Sequence, residues 1–154
     1  MPNGHPLNPL SHSGKDHKGC VLLEITEDSG QFAARPRWQN SNLKVKFSSV
    51  VERDGLVFGL DEKILVCLDL RTGKRLWKGG RYGYGQLLLT AQHLLILSDE
   101  GEIILCEATA EGHHELARLP VLNARTWNHP ALSGETLLIR NDRTAACLTL
   151  PLAR

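Results

Sequence analysis

Short apolar runs alternate with turn residues along residues 48–77, and this pattern predicts β-strands. Asp54-Gly55 lies between two apolar runs, which is typical of a tight hairpin. Asp61-Glu62-Lys63 and Thr72-Gly73 make two further polar breaks. The stretch therefore predicts an antiparallel meander. Its strands are expected at Val50-Val51, Leu56-Val57-Phe58, Ile64 to Leu68 and Lys74 to Trp77.

The pattern recurs with a period close to 40 residues. Cys67 is followed 39 residues later by Cys106 and a further 41 residues later by Cys147. Four short strands per period are typical of propeller blades, whose faces are buried when neighbouring blades stack. The runs before these cysteines also match one another, at 64–66, 103–105 and 144–146. A second set of matching apolar runs lies at 56–58, 95–97 and 137–139, and Trp38 matches Trp77.

Applied to the whole chain, the repeat predicts an all-β fold, a partial β-propeller of about three and a half four-stranded antiparallel blades. The predicted units are a half-blade (19–38) and three blades (44–78, 86–119 and 129–150), the last without its fourth strand. Residues 1–18 are rich in polar residues, Gly and Pro, and predict a disordered or loosely attached arm. Because closed propellers have about four to eight blades, we expect a fragment of a larger propeller, its carboxy-terminal blades, or a piece that needs a partner.

Residues 65–77, Leu-Val-Cys-Leu-Asp-Leu-Arg-Thr-Gly-Lys-Arg-Leu-Trp, resemble the pyrroloquinoline-quinone-like (PQQ-like) propeller repeat, roughly Ala/Cys-Leu-Asp-x-x-Thr-Gly-Lys-x-x-Trp. The resemblance extends from Trp38 to Leu150, with weaker copies after Trp77. The family includes quinoprotein dehydrogenases, a lipoprotein of the outer-membrane β-barrel assembly machinery, and many bacterial propellers of unknown role. The last group is the most similar to this chain.

Three motif residues have a structural interpretation. Asp69 is expected to accept hydrogen bonds from the following turn, and Gly73 to supply a positive φ. Trp77 is expected to end the fourth strand and to pack against the next blade.

The amino-acid composition limits the kinds of partner that are expected for this chain. The 154 residues are 42% hydrophobic and 23% charged, which favours a packed core, and the net charge of +1 argues against nucleic-acid binding. No apolar run is long enough for a membrane span. The amino terminus lacks the pattern of a signal peptide, but full-length relatives in the family are often exported, so the compartment stays open.

Catalytic and metal-binding chemistry is not predicted. The four cysteines include no Cys-x-x-Cys pair and are interpreted as small buried hydrophobes on different blades. A metal site at His12, His17 and Cys20 was considered and disfavoured, because no second ligand cluster accompanies it. The quinone enzymes of the family need calcium ligands and, in several cases, adjacent cysteines. We therefore predict no catalytic residue, no cofactor and no binding of pyrroloquinoline quinone.

The glycine-rich linker 78–86 is the candidate partner surface. Arg81, Tyr82 and Tyr84 are predicted to be exposed there, at the mouth of the propeller, either as contacts for a partner or as part of a solvated loop. His113-His114, in the last hairpin of the second blade, is predicted to be solvated.

Three functions fit this sequence. The favoured one is a non-catalytic repeat module that acts as a protein-interaction scaffold, binding a protein partner or self-associating through open blade faces. The first alternative is the carboxy-terminal part of a quinoprotein-like oxidoreductase whose active site lies in missing blades. The second is a truncated or mis-started reading frame without an independent role.

Overall fold

The computed structural model describes residues 19–151, which form thirteen β-strands and no helix. Short turns join most of the strands, as the spacing of Gly, Asp and Asn predicts. The predicted arm of residues 1–18 lies outside this part of the chain. The strands are β1 (Cys20–Asp28), β2 (Gln31–Asn40), β3 (Val51–Arg53), β4 (Leu56–Asp61), β5 (Ile64–Asp69), β6 (Arg75–Arg81), β7 (Gln86–Leu89), β8 (His93–Leu97), β9 (Glu102–Glu107), β10 (Glu115–Pro120), β11 (Ala131–Ser133), β12 (Thr136–Arg140) and β13 (Ala145–Thr149).

Four antiparallel sheets follow one another along the chain, and within each sheet the strands lie in sequence order. We call them the half-blade (β1 and β2), the first blade (β3 to β6), the second blade (β7 to β10) and the third blade (β11 to β13). The prediction of an all-β partial propeller of about three and a half blades is confirmed.

The second blade is covered on both faces, which explains its unbroken apolar run. Leu94 and Ile96 belong to the core shared with the first blade, whereas Leu95 and Leu97 pack with the third blade. Successive side chains of a strand point to opposite faces. A strand with two covered faces therefore needs apolar residues at every position rather than at alternate ones.

The turn between β5 and β6 contacts the half-blade, which precedes it in the chain. The carboxylate of Asp69 accepts the backbone N–H of Thr72 at 2.7 Å and its hydroxyl at 2.6 Å. These bonds, the hydroxyl bond first, lower the pKa of Asp69. Gly73 has a φ of 68°, and a Cβ there would lie 2.7 Å from the indole ring of Trp38. Glycine thus allows both the turn and the close approach of the half-blade.

Two tryptophans make the same bond between successive sheets. The indole N–H of Trp38 donates to the carbonyl of Leu70 at 2.8 Å, and that of Trp77 donates to the carbonyl of Thr109 at 2.9 Å. Donors and acceptors are both 39 residues apart, so the contact follows the repeat. The second blade has Ala117 where the motif would place the next tryptophan.

Two expectations about the first and second blades were wrong. Strand β6 continues to Arg81 instead of ending at Trp77. A Cβ at Gly79 would lie 2.8 Å from that of His113, so the glycine lets the β9–β10 connection lie against this strand. His113 is accordingly half-buried and bonded to Tyr82, not solvated, whereas His114 is exposed.

The cysteines differ in burial, which corrects their common interpretation as buried hydrophobes. Cys67 and Cys106 are buried between the first and second blades, but Cys147 is exposed and Cys20 is half-buried. Cys147 pairs with Leu138 in the ladder between β12 and β13, and Leu138 is also exposed. No sheet among residues 19–151 covers this face of the third blade.

Candidate functional site

Three positions of successive repeats meet at Gln86. Its side chain is buried, and its amide nitrogen donates to the carbonyl of Phe47 at 2.9 Å and to that of Trp127 at 3.1 Å. These residues lie 39 positions before and 41 positions after Gln86, which is the spacing of the repeat. Equivalent positions two blades apart can meet only close to the axis around which the blades are arranged. The residues therefore lie near that axis.

Three aromatic side chains lie at this point, and we call Phe47, Tyr84 and Trp127 the aromatic cluster; Tyr84 is half-buried rather than exposed as the sequence predicts. The rings of Phe47 and Trp127 stack with centroids 5.9 Å apart and planes inclined by 17°. Tyr84 meets Phe47 edge-on at 5.8 Å. Phe47 is 66% exposed and Trp127 is 47% exposed. Two large rings in mutual contact thus face solvent, where single apolar side chains are the norm.

Three cations lie against the rings of the cluster. The Nζ atoms of Lys46 and Lys63 are 5.5 Å and 5.0 Å from the centroid of Tyr84. The guanidinium of Arg125 is 4.9 Å from the centroid of Trp127. Such cation–π contacts contribute roughly 0.5–1 kcal/mol each at exposed sites. Within residues 19–151 none of the three forms an ion pair with a carboxylate.

Lys63 is held over Tyr84 by an unusual turn. The hairpin between β4 and β5 consists of Glu62 and Lys63, with φ angles of 47° and 93°. A two-residue hairpin of this kind prefers glycine or asparagine, because both positions need positive φ. Strained backbone of this type concentrates at functional sites.

The nearest carboxylates are already bonded. Asp99 accepts the backbone N–H of Tyr84 at 3.0 Å, and Glu62 pairs with Lys44 at 3.4 Å. Asp61 is buried, pairs with Lys78 and accepts the backbone N–H of Lys44 at 2.9 Å. The contacts of Asp99, Glu62 and Asp61 are thus with groups other than the side chains of Lys46, Lys63 and Arg125.

The predicted surface residues have different locations. Arg81 is exposed and lies opposite Ile64 in the β5–β6 ladder, next to Lys63. Tyr84 belongs to the aromatic cluster. Tyr82 is 1% exposed, so the prediction that it is exposed was wrong. Its ring turns inward from the end of β6 into the core between the first and second blades.

The hydroxyl of Tyr82 is the buried centre of a polar network that extends to exposed groups. It donates to Glu115 at 2.9 Å and lies 2.6 Å from Nε2 of His113 and 3.4 Å from Sγ of Cys106. Since the single hydroxyl proton goes to Glu115, the neutral imidazole donates from Nε2 to the hydroxyl oxygen. Arg118 completes the network by binding Glu115 at 2.8 Å and pairing with Glu102.

Burial and hydrogen bonds set the protonation of this network. Burial raises the pKa of Tyr82 and of Cys106, and it lowers the pKa of His113. The hydrogen bond from Arg118 lowers the pKa of Glu115. In residues 19–151 every buried side-chain nitrogen and oxygen has a hydrogen-bond partner. The network thus joins the first blade, through Tyr82, to the second blade, through His113 and Glu115.

Sequence reasoning missed most of the cluster. The sequence pattern does not single out Phe47, Lys63, Arg125 or Trp127 as surface residues. The available signal was the repeat itself, because Phe47 and Trp127 are aromatic residues at equivalent positions on either side of Gln86. Contact between such positions depends on the radius at which the linkers run, which the sequence does not report.

The described part of the chain has neither a grouped set of metal ligands nor a membrane-spanning helix. Across residues 19–151 no three His, Cys, Asp or Glu side chains are grouped to hold a metal ion. His12 and His17, considered with Cys20 as metal ligands, lie outside this range. The same range contains no helix long and apolar enough to cross a membrane.

Comparison with known proteins identifies the fold. The chain is similar to the crystal structure of BamB from Moraxella catarrhalis, with 18% sequence identity and a TM-score of 0.52. The match covers 81% of this chain and 43% of the BamB chain, so this chain spans less than half of that protein. No family model matches, and no curated protein matches. The likeness, together with the four sheets, shows part of a β-propeller.

Proposed function

We propose that this chain is a non-catalytic protein-interaction module that binds its partner through the aromatic cluster. The observation that carries the proposal is the exposed stack of Phe47 on Trp127. Aromatic side chains and arginine are enriched in protein interfaces and supply most of the residues that dominate binding energy. Arg125, over the ring of Trp127, adds such an arginine.

The cluster is also rigid before binding. Gln86 fixes the backbone of Phe47 and of Trp127 by direct hydrogen bonds, and the hydroxyl of Ser48 donates to the carbonyl of Gly85. A preorganised surface loses less conformational entropy when a partner binds. Arg81, exposed beside Lys63, extends the proposed surface along the end of β6.

The repeat itself is proposed to be of the PQQ-like type. Support comes from the bonds that Asp69 makes to Thr72, from the positive φ of Gly73, and from the indole of Trp77, which reaches the next blade. Each motif residue is thus used in turn formation or blade contact, which supports a scaffold role.

Site-specific photo-crosslinking tests the proposed function. A benzophenone amino acid is placed at position 47 or 127 of the full chain in cells, and the products of irradiation are identified by mass spectrometry. We expect the same discrete protein adduct from both positions. The matched control is position 116, because Leu116 is 49% exposed, close to the 47% of Trp127, but lies on the edge strand β10 of the second blade, away from the cluster.

The adduct is then checked with purified proteins. We expect Phe47→Ala combined with Trp127→Ala to weaken binding of the cross-linked partner at least tenfold, since aromatic anchors contribute about 2 kcal/mol or more each. Leu116→Ala should leave the affinity unchanged. Adducts that are equally abundant from positions 116, 47 and 127, or an unchanged affinity of the double variant, would disprove the proposal.

A further inference from the structure

We infer that the aromatic cluster recognises an acidic segment, one in which carboxylate side chains flank an apolar residue. This inference rests on the proposed function and names the chemistry of the partner. It follows from the three cations around the cluster and from the exposed ring of Phe47 at its centre.

Positive charge surrounds an apolar centre. Lys46 and Lys63 lie at the Tyr84 end of the cluster, and Arg125 lies at the Trp127 end. Phe47, between them, is within 6 Å of both other rings and is mostly exposed. An apolar side chain of a partner can therefore pack on Phe47 while its neighbours on either side meet a cation.

The three cations are available to an external anion. None is neutralised by a carboxylate in residues 19–151, as Lys44, Lys78 and Arg118 are. Their contacts with the rings hold them in place without using their hydrogen-bond donors, apart from a 3.5 Å contact between Lys46 and the hydroxyl of Tyr84. Arg125 can bind a carboxylate through two parallel N–H donors.

The rings are arranged for a peptide rather than for a single-stranded nucleic acid. Base stacking needs an aromatic face without a covering group. Trp127 already stacks with Phe47 and carries Arg125, whereas the ring of Tyr84 carries two lysines. Phe47 alone keeps a largely open ring, so the cluster offers no run of free faces for successive bases, while a carboxylate needs only the cations at the edge of the cluster.

A peptide array with the purified full-length chain tests the inference. The array holds short peptides in which Glu or Asp alternate with Leu, Phe or Ser, each beside a version with Gln or Asn at the same places. Bound peptides are then measured by fluorescence anisotropy, with a fluorescein-labelled oligothymidine as the nucleic-acid probe. We expect saturable binding of acidic peptides, with affinity at least tenfold above that of their amide versions and falling as salt increases.

The variant Lys46→Glu with Lys63→Glu and Arg125→Glu should lose the peptide affinity at least tenfold. The matched control reverses the same amount of charge at Lys74, Arg75 and Arg140, which are also exposed and make no ion pair within residues 19–151. Control and test variants should both unfold cooperatively in urea, and the control should bind like the wild type.

Four results would overturn the inference: equal binding of acidic and amide peptides, no binding of any acidic peptide, equal loss of affinity in both charge-reversed variants, or tighter binding of oligothymidine than of any peptide. The proposed function is judged separately, by the adducts at positions 47 and 127. A partner that cross-links there but carries no acidic segment would disprove the inference and leave the interaction module intact.

Discussion

At the residue scale, Trp38 and Trp77 link each sheet to the next by one indole hydrogen bond. Trp77 also packs on Phe58, with ring centroids 6.0 Å apart, so it adds core contacts to the bond. We expect Trp77→Ala to lower the free energy of unfolding by about 3 kcal/mol, the lower end for large aromatic residues, because its ring is only half-buried.

The bond itself is isolated by Trp77→Phe and by Trp38→Phe. Each should cost about 1–2 kcal/mol, since a carbonyl loses its donor while most of the apolar contact remains. Urea unfolding monitored by circular dichroism gives these values. Arg81→Ala serves as the control and should stay within about 0.5 kcal/mol of the wild type. Equal midpoints for the wild type and both phenylalanine variants would show that the bonds contribute nothing.

The four thiols should react in the order of their exposure. Cys147 is exposed, whereas Cys67 is buried and its pKa is raised to about 11 by that burial. Since the thiolate is the reactive form, alkylation at neutral pH should modify Cys147 first, and Cys67 and Cys106 only after unfolding. Peptide mapping after timed treatment with iodoacetamide checks this order. Cys147→Ser should remove the fast phase, and a fast phase that persists in that variant would contradict the exposure of Cys147.

Residue types along the chain predict where turns occur, but they predict less well which side chains are buried. Asp69, Gly73 and Thr72 predict a turn because their preferences are local. Tyr82 and Tyr84 lie two positions apart in the same glycine-rich segment, yet Tyr82 is fully buried and Tyr84 is only half-buried. The difference depends on His113 and Glu115, which bind the hydroxyl of Tyr82 from the next blade, and the local sequence contains no information on that contact.

At the scale of elements, the motif turn offers a direct test of close packing. Gly73 and Gly134 have φ angles of 68° and 55°, so alanine at either position pays a similar backbone cost of about 1–2 kcal/mol. A Cβ at Gly134 meets nothing within 4 Å, whereas one at Gly73 would contact Trp38. We expect Gly73→Ala to destabilise the fold by about 1–3 kcal/mol more than Gly134→Ala, because overpacking adds to strain. Equal urea midpoints would contradict the contact.

Differences in hairpin length make the sequence alignment of the repeats inexact. The sequence comparison placed Leu97 at the position of Phe58. In the structure Phe58 pairs with Cys67, and Leu94 pairs with Cys106. The reason is that β4 and β5 are joined by Glu62 and Lys63, while β8 and β9 are joined by the longer turn 98–101. Equivalent strands can therefore still be recognised when the turn between them changes length, but equivalent residues within those strands can no longer be found by adding a fixed repeat length.

At the scale of the whole molecule, the network around Tyr82 ties the first two blades together and makes stability depend on pH. Burial lowers the pKa of His113 below its ordinary value of 6.5. The negative charge of Glu115 raises this pKa, whereas the positive charges of His114 and Arg118 lower it further. The unfolded chain therefore binds a proton at higher pH than the folded chain does. The stability gained from the neutral imidazole is present above about pH 6.5 and is lost as the pH falls towards the lowered pKa.

Urea unfolding measured between about pH 7 and pH 5.5 tests this dependence. The free energy of unfolding should fall over that range in the wild type and fall less in His113→Asn, which cannot titrate. His114→Asn is the control, because that side chain is exposed and should leave the slope unchanged. Parallel curves for the wild type and His113→Asn would contradict the assignment.

Exposed apolar side chains on the outer sheets predict self-association. Ile25 and Phe32 are exposed on the half-blade, and Leu138 is exposed on the third blade. Such residues favour pairing of sheet faces, most simply in a twofold dimer. Light scattering coupled to size exclusion should give a mass above 17.1 kDa that falls on Phe32→Ser with Leu138→Ser. A monodisperse 17.1 kDa wild-type species would disprove this prediction.

The buried amide of Gln86 has a mechanical consequence. One side chain holds the carbonyls of two linkers that belong to different blades, so the distance between Phe47 and Trp127 reports the angle between those blades. A pulling force that spreads the blades would stretch these two bonds and separate the stacked rings before any sheet loses its ladder. Tension on the chain and binding at the proposed surface should therefore oppose each other.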